Sequence, residues 1–502
     1  MSATLAVVRL LPRASRRSAA AVAAIVFSLF TFSLFADITY YVSKSGDGSD
    51  PTSGDLTKAY AHPQYAIDQA DGVTPVKVIV APGNYALIPT NVVDGNFNDR
   101  FVLNITNGNI SVTSSGGKEV TFLDGEGTTT ATRYCSTQRA LNIAADLSGV
   151  EVSGFTVTNG WNKENQRSAK RPTSMWIRSG TVSNMTVRGY CRSRSAYINV
   201  TGTGVLRNST VESQSNASDG NNSYSCNPIY LGDSAVVENC RVSNIHWHSG
   251  VEQSQGIYAN GANTVVRGCI VDGVKVGKTT STACKGGGIY VSQGLVENCT
   301  VMNCYVYGNG GGIYASGESA IVRNCIFCNN TATADGNNVY LVADSVKVGG
   351  KWTSVYPSVT YCCASDVDTT AEGNISADPK LLTDGTYGIE LSSPCTGTGT
   401  NLEWMAEASD ITGNPRVWTD GTVSMGAVEP QGRFSGVAVD FAAVGGLTVG
   451  RAPFTTSFEP SLIGAGDTVA YLSRRAEARG LRIVTSTARG WGFPITARRS
   501  RF

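Results

Sequence analysis

The 502-residue chain is short of charge: Asp, Glu, Lys and Arg together make up 16% of it, where about 25% is usual. With a formal net charge of +1 there is no electrostatic footprint for nucleic acid, and that class of partner is excluded. Histidine is scarcer still, at three residues, so imidazole chemistry has few places to reside. Beyond one N-terminal apolar run, no stretch is long enough to span a bilayer. Hydrophobic residues make up 41% of the chain, enough for a sizeable core, which excludes a disordered chain. In excess is glycine, 56 residues, above the usual share of about 7%. The composition is turn-rich, polar and uncharged.

Arg9, Arg13, Arg16 and Arg17 precede an acid-free apolar run from Ala19 to Phe35, and Leu34-Phe35-Ala36 offers a small-residue cleavage point before Asp37. That layout reads as a signal peptide over residues 1–36. An uncleaved anchor is the alternative, since the run approaches bilayer thickness, and Ser15-Arg16-Arg17 hints at twin-arginine export. The expected location is secreted or at the cell surface, with no membrane span after cleavage. Thirteen cysteines in an exported chain suggest disulfides, but the number is odd and their placement follows a repeat.

The repeat is the primary signal. Val237-Glu238-Asn239-Cys240, Val266-Arg267-Gly268-Cys269, Val296-Glu297-Asn298-Cys299 and Val322-Arg323-Asn324-Cys325 give one pattern four times, with weaker copies around Gly154, Asn184 and Asn208. The third position advances by 30, 24, 31, 29, 30 and 26 residues. It is always Asn or Gly, the residues that best tolerate positive φ, and so marks a sharp bend between two strands. Apolar and polar residues alternate on both sides of it, which is strand periodicity. Another strand lies upstream in Pro228-Ile229-Tyr230-Leu231, Gly256-Ile257-Tyr258-Ala259, Gly288-Ile289-Tyr290-Val291, Gly312-Ile313-Tyr314-Ala315 and Asn338-Val339-Tyr340-Leu341. The fold class is therefore all-β: a single-stranded right-handed parallel β-helix with three short strands per coil.

These repeats resemble the pectate-lyase-like right-handed β-helix superfamily, and in particular exported bacterial β-helix repeat proteins. The segments Tyr40 to Gly46, Tyr65 to Ala70 and Val78 to Tyr85 resemble the family's opening, which implies an N-terminal helical cap on the solenoid. Asp378 to Leu381, Ser393-Pro394, Asp410 to Arg416 and Met425 to Glu429 are similar to its closing segment, which implies a C-terminal β extension. The expected organisation is a β-helix over 37–365, its closing segment over 366–430, a partial immunoglobulin-like module over 431–472 and a basic, disordered tail over 473–502. The stretch Phe434 to Leu472 resembles the first strands of a polycystic-kidney-disease-type module. The last 32 residues, with eight arginines, no lysine and one acid, read as a reading-frame change or as a functional basic tail.

Two columns follow from stacking coils in register. Phe155, Met185, Ser209, Cys240, Cys269, Cys299 and Cys325 point inward. They read as packed small hydrophobes or, alternatively, as a metal or redox site. Coils sit about 4.8 Å apart with parallel side chains, which strains any disulfide between rungs. Cys191, Cys226, Cys284, Cys304, Cys328, Cys362, Cys363 and Cys395 fall at turns or beyond the coils. The outward column reads Trp176, Tyr197, Tyr230, Tyr258, Tyr290, Tyr314 and Tyr340. Small neighbours at Ser174, Ser195, Gly256, Gly288 and Gly312 would leave the rings open. Arg178, Asn199, Gly232, Asn260, Ser292 and Ser316 border the other side. Flat rings beside hydroxyl and amide groups suit a polysaccharide; a ladder that only stabilises stacked strands is the alternative.

For chemistry, the resemblance implies a β-eliminating lyase that uses a basic residue, with calcium or Arg/Lys neutralising a uronate carboxylate. His246, His248 and Glu252 form the candidate catalytic neighbourhood, since residues two apart on a strand share a face. Lys275, Lys278 and Lys285 are further candidate bases. A chance grouping in a solvated loop is the alternative, and no Asp-with-Arg lyase signature is matched. The reading is an exported protein binding polysaccharide along the tyrosine column, a monomer with no resident metal or cofactor; calcium enters only if it is a lyase. A carbohydrate-active enzyme and a surface adhesin or spacer are the rivals.

Overall fold

The computed structural model describes residues 37–88, 92–93, 99–125, 138–159, 174–189, 197–213, 227–245, 255–277 and 284–430, with four short strands beyond residue 460. Parallel strands stack into three faces. The first runs from Asp99–Ile105 to Val339–Val342, the second from Ile38–Val42 to Ser358–Thr360, and the third from Gly83–Ala86 to Ile326–Cys328. Strands Ile257–Arg267 and Ile289–Glu297 turn the corner and serve the first and second faces in succession. Such parallel crossovers wind right-handed, so the solenoid is a right-handed parallel β-helix.

Alternation along the second face buries Val152, Val182, Leu206, Val237, Val266, Val296 and Val322 completely. Each such burial contributes roughly 1.5–3 kcal/mol. The bend between second and third faces is left-handed from the coil at Gly154 onward, with φ of 85° at Gly154, 50° at Asn184 and Asn208, 49° at Asn239, 62° at Gly268, 48° at Asn298 and 55° at Asn324. Gly268 has a second reason to be glycine: a Cβ there would meet Asn239 Oδ1 at 2.1 Å.

A second left-handed bend follows five residues later, at Asn244, Gly273, Asn303 and Asn329, and sequence reasoning missed it. Beyond it a fourth, two-residue strand forms in later coils: Lys275–Val276, Tyr305–Val306 and Thr331–Ala332. The cysteine column is buried, as its register requires. Each thiol donates to the carbonyl two residues before it and reaches one in the preceding coil: Cys240 to Glu238 at 3.3 Å and Leu206 at 3.6 Å, Cys269 to Arg267 at 3.3 Å and Val237 at 3.7 Å. Cys362 makes the same pair of contacts, with Thr360 at 3.2 Å and Val322 at 3.8 Å. It is therefore a further rung, not a residue beyond the coils.

The helix Pro63–Ile67 provides the N-terminal cap. Its Gln64 side chain accepts from Asn104 N at 2.7 Å and donates to Asn104 O at 3.0 Å, which satisfies the open edge of the first face. His62 caps that helix: its Nδ1 accepts from Gln64 N at 3.1 Å, and its Nε2 meets Ala86 O at 2.8 Å. Burial holds its pKa down to about 4.

At the other end, residues 366–430 fold back along the third face. They consist of turns, isolated β-bridges and one 3-10 turn, Glu403–Met405. Repeated Asp-x-Thr turns explain this: Asp368, Asp384, Asp410 and Asp420 each accept from the backbone N–H and hydroxyl of the Thr two residues on. The asparagine bends grip the returning chain. Asn324 exchanges two hydrogen bonds with Thr400, Asn298 Nδ2 donates to Ser424 O and Asn239 Nδ2 to Ser409 O. Toward this cover one outward column of the third face passes from Thr156, Thr186 and Thr210 to Arg241, Ile270, Thr300 and Ile326, and the neighbouring one from Arg188 and Glu212 through Ser243 and Asp272 to Met302 and Cys328. A buried Arg416–Glu429 pair, 3.6 Å apart, ties down the segment's end.

Most of 431–502 lies outside the described residues. Strands Ser461–Leu462, Thr468–Tyr471, Ile483–Thr487 and Thr496–Arg498 pair antiparallel there. Two of them fall within the stretch expected to be a disordered tail, because Ile483–Thr487 alternates β-branched residues that favour pairing. The expected signal peptide also lies outside the described residues, among which no helix is long and apolar enough to cross a membrane.

Candidate functional site

The first face carries the aromatic column. Tyr230, Tyr258, Tyr290, Tyr314 and Tyr340 are register partners in successive coils. Each follows a residue buried in the core, such as Ile257 before Tyr258; Tyr230, Tyr258, Tyr290 and Tyr340 stay partly exposed, whereas Tyr314 is itself buried at 7% exposure. The rings stack on one another, with centroids 5.5, 4.7, 5.3 and 5.3 Å apart and interplanar angles of 17°, 8°, 13° and 38° in chain order. Ring faces are thereby taken by neighbouring rings, and the expectation of uncovered faces does not hold. What the column turns outward is ring edge and hydroxyl. Burial, followed by the adjoining phenols of Tyr290 and Tyr230, pushes the Tyr258 hydroxyl above its ordinary pKa.

Tyr197 is not part of this column. It is fully buried in the core, and Asn199 takes the outward place, paired with Trp176 on one side and Tyr230 on the other. The inward partners Ile198 and Val200 set that register. Thr201 then stands in the flanking column where Asn199 was expected. The glycines before the tyrosines have another role than exposing rings: a Cβ at Gly288 would meet Val301 Cγ1 at 2.3 Å and Gly312 O at 2.7 Å. On the far side Ser292 donates to Asn260 Oδ1 at 2.7 Å, so a polar column does border the rings. Ser195 lies outside the described residues.

Trp176 is in register but separated from the tyrosines by Asn199. Two guanidinium groups flank its ring, Arg178 at 4.5 Å and Arg139 at 5.9 Å. Arg178 also donates to Asn142 Oδ1 at 3.1 Å, and Asn142 donates to Asn104 Oδ1 at 2.7 Å. Burial lowers the Arg178 pKa. Lys285 places its ammonium 5.9 Å from the Tyr314 ring centre, which adds a cation at the other end of the face.

His246, His248 and Glu252 lie outside the described residues, as do Lys278, Cys191 and Cys226. Lys275 is exposed on the two-residue strand beside Tyr305, away from the aromatic column. The calcium implied by the lyase resemblance needs clustered oxygen ligands. Among the described residues no group of three His, Cys, Asp or Glu is placed to hold a metal ion. Burial pushes the thiol of Cys240 in the cysteine column, and that of Cys304 outside it, up to about 12.

Sequence reasoning also missed a ladder of alternating charge on the second face. Arg207, Glu238, Arg267, Glu297 and Arg323 are successive register partners. Arg267 pairs with Glu238 at 2.9 Å and Arg323 with Glu297 at 2.5 Å. The alternating signs directly before each bend were the legible signal.

A family model described as right handed beta helix region matches residues 229–401. Among solved structures, the pectin methylesterase PemA from Erwinia chrysanthemi is similar at 13% identity, covering 70% of this chain and 98% of that chain, with a TM-score of 0.32. No curated protein matches. The chain is thus a right-handed parallel β-helix whose coils from Ile229 to Asn401 match that family model.

Proposed function

We propose that this is an exported protein that binds an extended polysaccharide along the first face of its β-helix. The carrying observation is the in-register stack from Tyr230 to Tyr340. It supplies a straight row of phenol edges at strand spacing, bordered by the polar column of Thr201, Asn260, Ser292 and Ser316. A chain of sugars presents hydroxyls at regular intervals, and phenol and amide groups answer them with hydrogen bonds while ring edges take the apolar C–H faces. Arg178 beside Trp176 and Lys285 beside Tyr314 favour an acidic glycan over a neutral one.

The test is affinity electrophoresis of the full chain through gels containing polygalacturonate, alginate, hyaluronate or a neutral glucan. An acidic glycan should retard the parent. The double variant Tyr258→Phe with Tyr290→Phe keeps the stack but loses two hydroxyls, and should be retarded several-fold less. Equal mobility of parent and variant in every gel ends the reading. Following the same mixtures by ultraviolet absorbance for unsaturated uronate separates binding from lyase activity.

A further inference from the structure

The returning closing segment leaves a cleft beside its turn at residues 408–413. That turn and the bend between the second and third faces enclose ≈ 850 Å³, inside the range of small-molecule sites, about 300–1,000 Å³. Asn239 Nδ2, donating to Ser409 O at 3.1 Å, fixes the turn to the solenoid. The charged and aromatic lining comes from Lys118, Arg207, Glu238, Arg241, Tyr387 and Asp410.

The acids of this wall are already engaged. Glu238 accepts from Arg267 at 2.9 Å. Asp410 is 2% exposed, and its carboxylate accepts from the N–H groups of Thr412, Asn414 and Glu429 and from the Thr412 hydroxyl. The cations differ. Among the described residues Arg207 forms no ion pair, and the buried Nε of Arg241 has no hydrogen-bond partner. The Arg241 guanidinium lies 4.6 Å from the centre of the Tyr387 ring. Tyr387 in turn donates its hydroxyl to Asp272 at 3.1 Å and sits at φ 63°, a region unfavourable to an aromatic residue. A ring stacked on a guanidinium fixes its plane, and a fixed fork is what takes a carboxylate on two parallel N–H···O bonds.

We propose that this cleft binds a small carboxylate-bearing ligand, with Arg241 as the fork and Arg207 and Lys118 as supporting charges. An acidic oligosaccharide of two or three uronate residues has the matching chemistry: a carboxylate for the fork, and hydroxyls for the Asn208 and Thr210 side of the cleft. The site lies at the bend between the second and third faces, so it stands independently of the tyrosine column.

Titration calorimetry of the full chain with trigalacturonate, and then with its methyl ester, tests this. The acid should bind saturably at one site, more weakly as salt rises, and the ester should not bind. Arg241→Gln and Arg207→Gln should each weaken binding about tenfold, while Lys58→Gln, exposed at the N-terminal end away from the cleft, leaves it unchanged. Thermal melting checks that the variants fold; if Arg241→Gln does not, the exposed Arg207→Gln carries the test alone. Absence of saturable heat, equal binding of acid and ester, or parent-like affinity in the arginine variants overturns the proposal. Binding that falls only with Tyr258→Phe assigns the ligand to the first face and overturns it too.

Discussion

Replacing Asn324 tests how the solenoid holds its closing segment. The Oδ1 of Asn324 accepts from Thr400 N and its Nδ2 donates to Thr400 O, both at 2.8 Å. The residue is fully buried and its backbone sits at φ 55°. Two buried amide hydrogen bonds at about 1 kcal/mol each give about 2 kcal/mol. Holding an alanine in the left-handed region adds about 1 kcal/mol, a cost that glycine avoids. Asn324→Ala should therefore destabilise the chain by about 3 kcal/mol and Asn324→Gly by about 2 kcal/mol. Urea unfolding of the full chain reads the ordering, and hydrogen exchange at the Thr400 amide reads the local effect. A Thr400 amide that exchanges at the parental rate in the glycine variant refutes the hydrogen-bond argument. Identical midpoints for glycine and alanine refute the backbone argument.

Acidification should weaken the N-terminal cap. His62 titrates at about 4 when folded and near 6.5 when unfolded, so the unfolded chain takes up the proton first as pH falls. Stability is full above pH 6.5 and drops by about 3 kcal/mol on descending to pH 4; a flat denaturation profile over that window, or an unchanged slope in His62→Asn, contradicts it. Arg416→Ala strands the buried Glu429 carboxylate and should cost about 3–5 kcal/mol, read by urea midpoint, with a loss below about 1 kcal/mol counting against it. Tyr258→Ala removes a ring stacked on both neighbours and should cost about 3 kcal/mol, against less than about 1 kcal/mol for Tyr258→Phe. Iodoacetamide at pH 8 should leave Cys240, Cys304 and Cys328, whose thiols burial pushes up to about 12, unmodified until the chain unfolds; mass mapping of native protein that finds them alkylated would falsify their burial.

Much of the architecture could be read because one coil is repeated. Asn or Gly at the bend and the cysteine after it recur in fixed places, so φ and burial at one rung predict those at the next. Tyr197 went astray where the aromatic identity was followed in place of its flanks: Ile198 and Val200 are the inward pair, and Asn199 lies between them. The second bend was equally visible, five residues after the first in Asn244, Gly273, Asn303 and Asn329, but the two-residue strand behind it is too short for periodicity to register. The arginine cleft was not legible. Arg241 meets Tyr387, and Asn239 meets Ser409, across well over a hundred residues, and no local pattern encodes a contact of that separation. The sugar-facing surface was half legible: outward placement follows from alternation, whereas the mutual covering of the rings follows from the spacing between strands.

Among the described residues the asparagine clasps on the returning chain run from Asn239 to Asn324, and the last rung at Cys362 is held to it as well. Coils upstream of these clasps, such as those bent at Asn184 and Asn208, touch their neighbours through the same ladder but carry no clasp. Gain or loss of one whole winding there lengthens or shortens the rod without disturbing its fastening. The length of the rod can thus be adjusted by duplication at one end while the buckle at the other stays as it is.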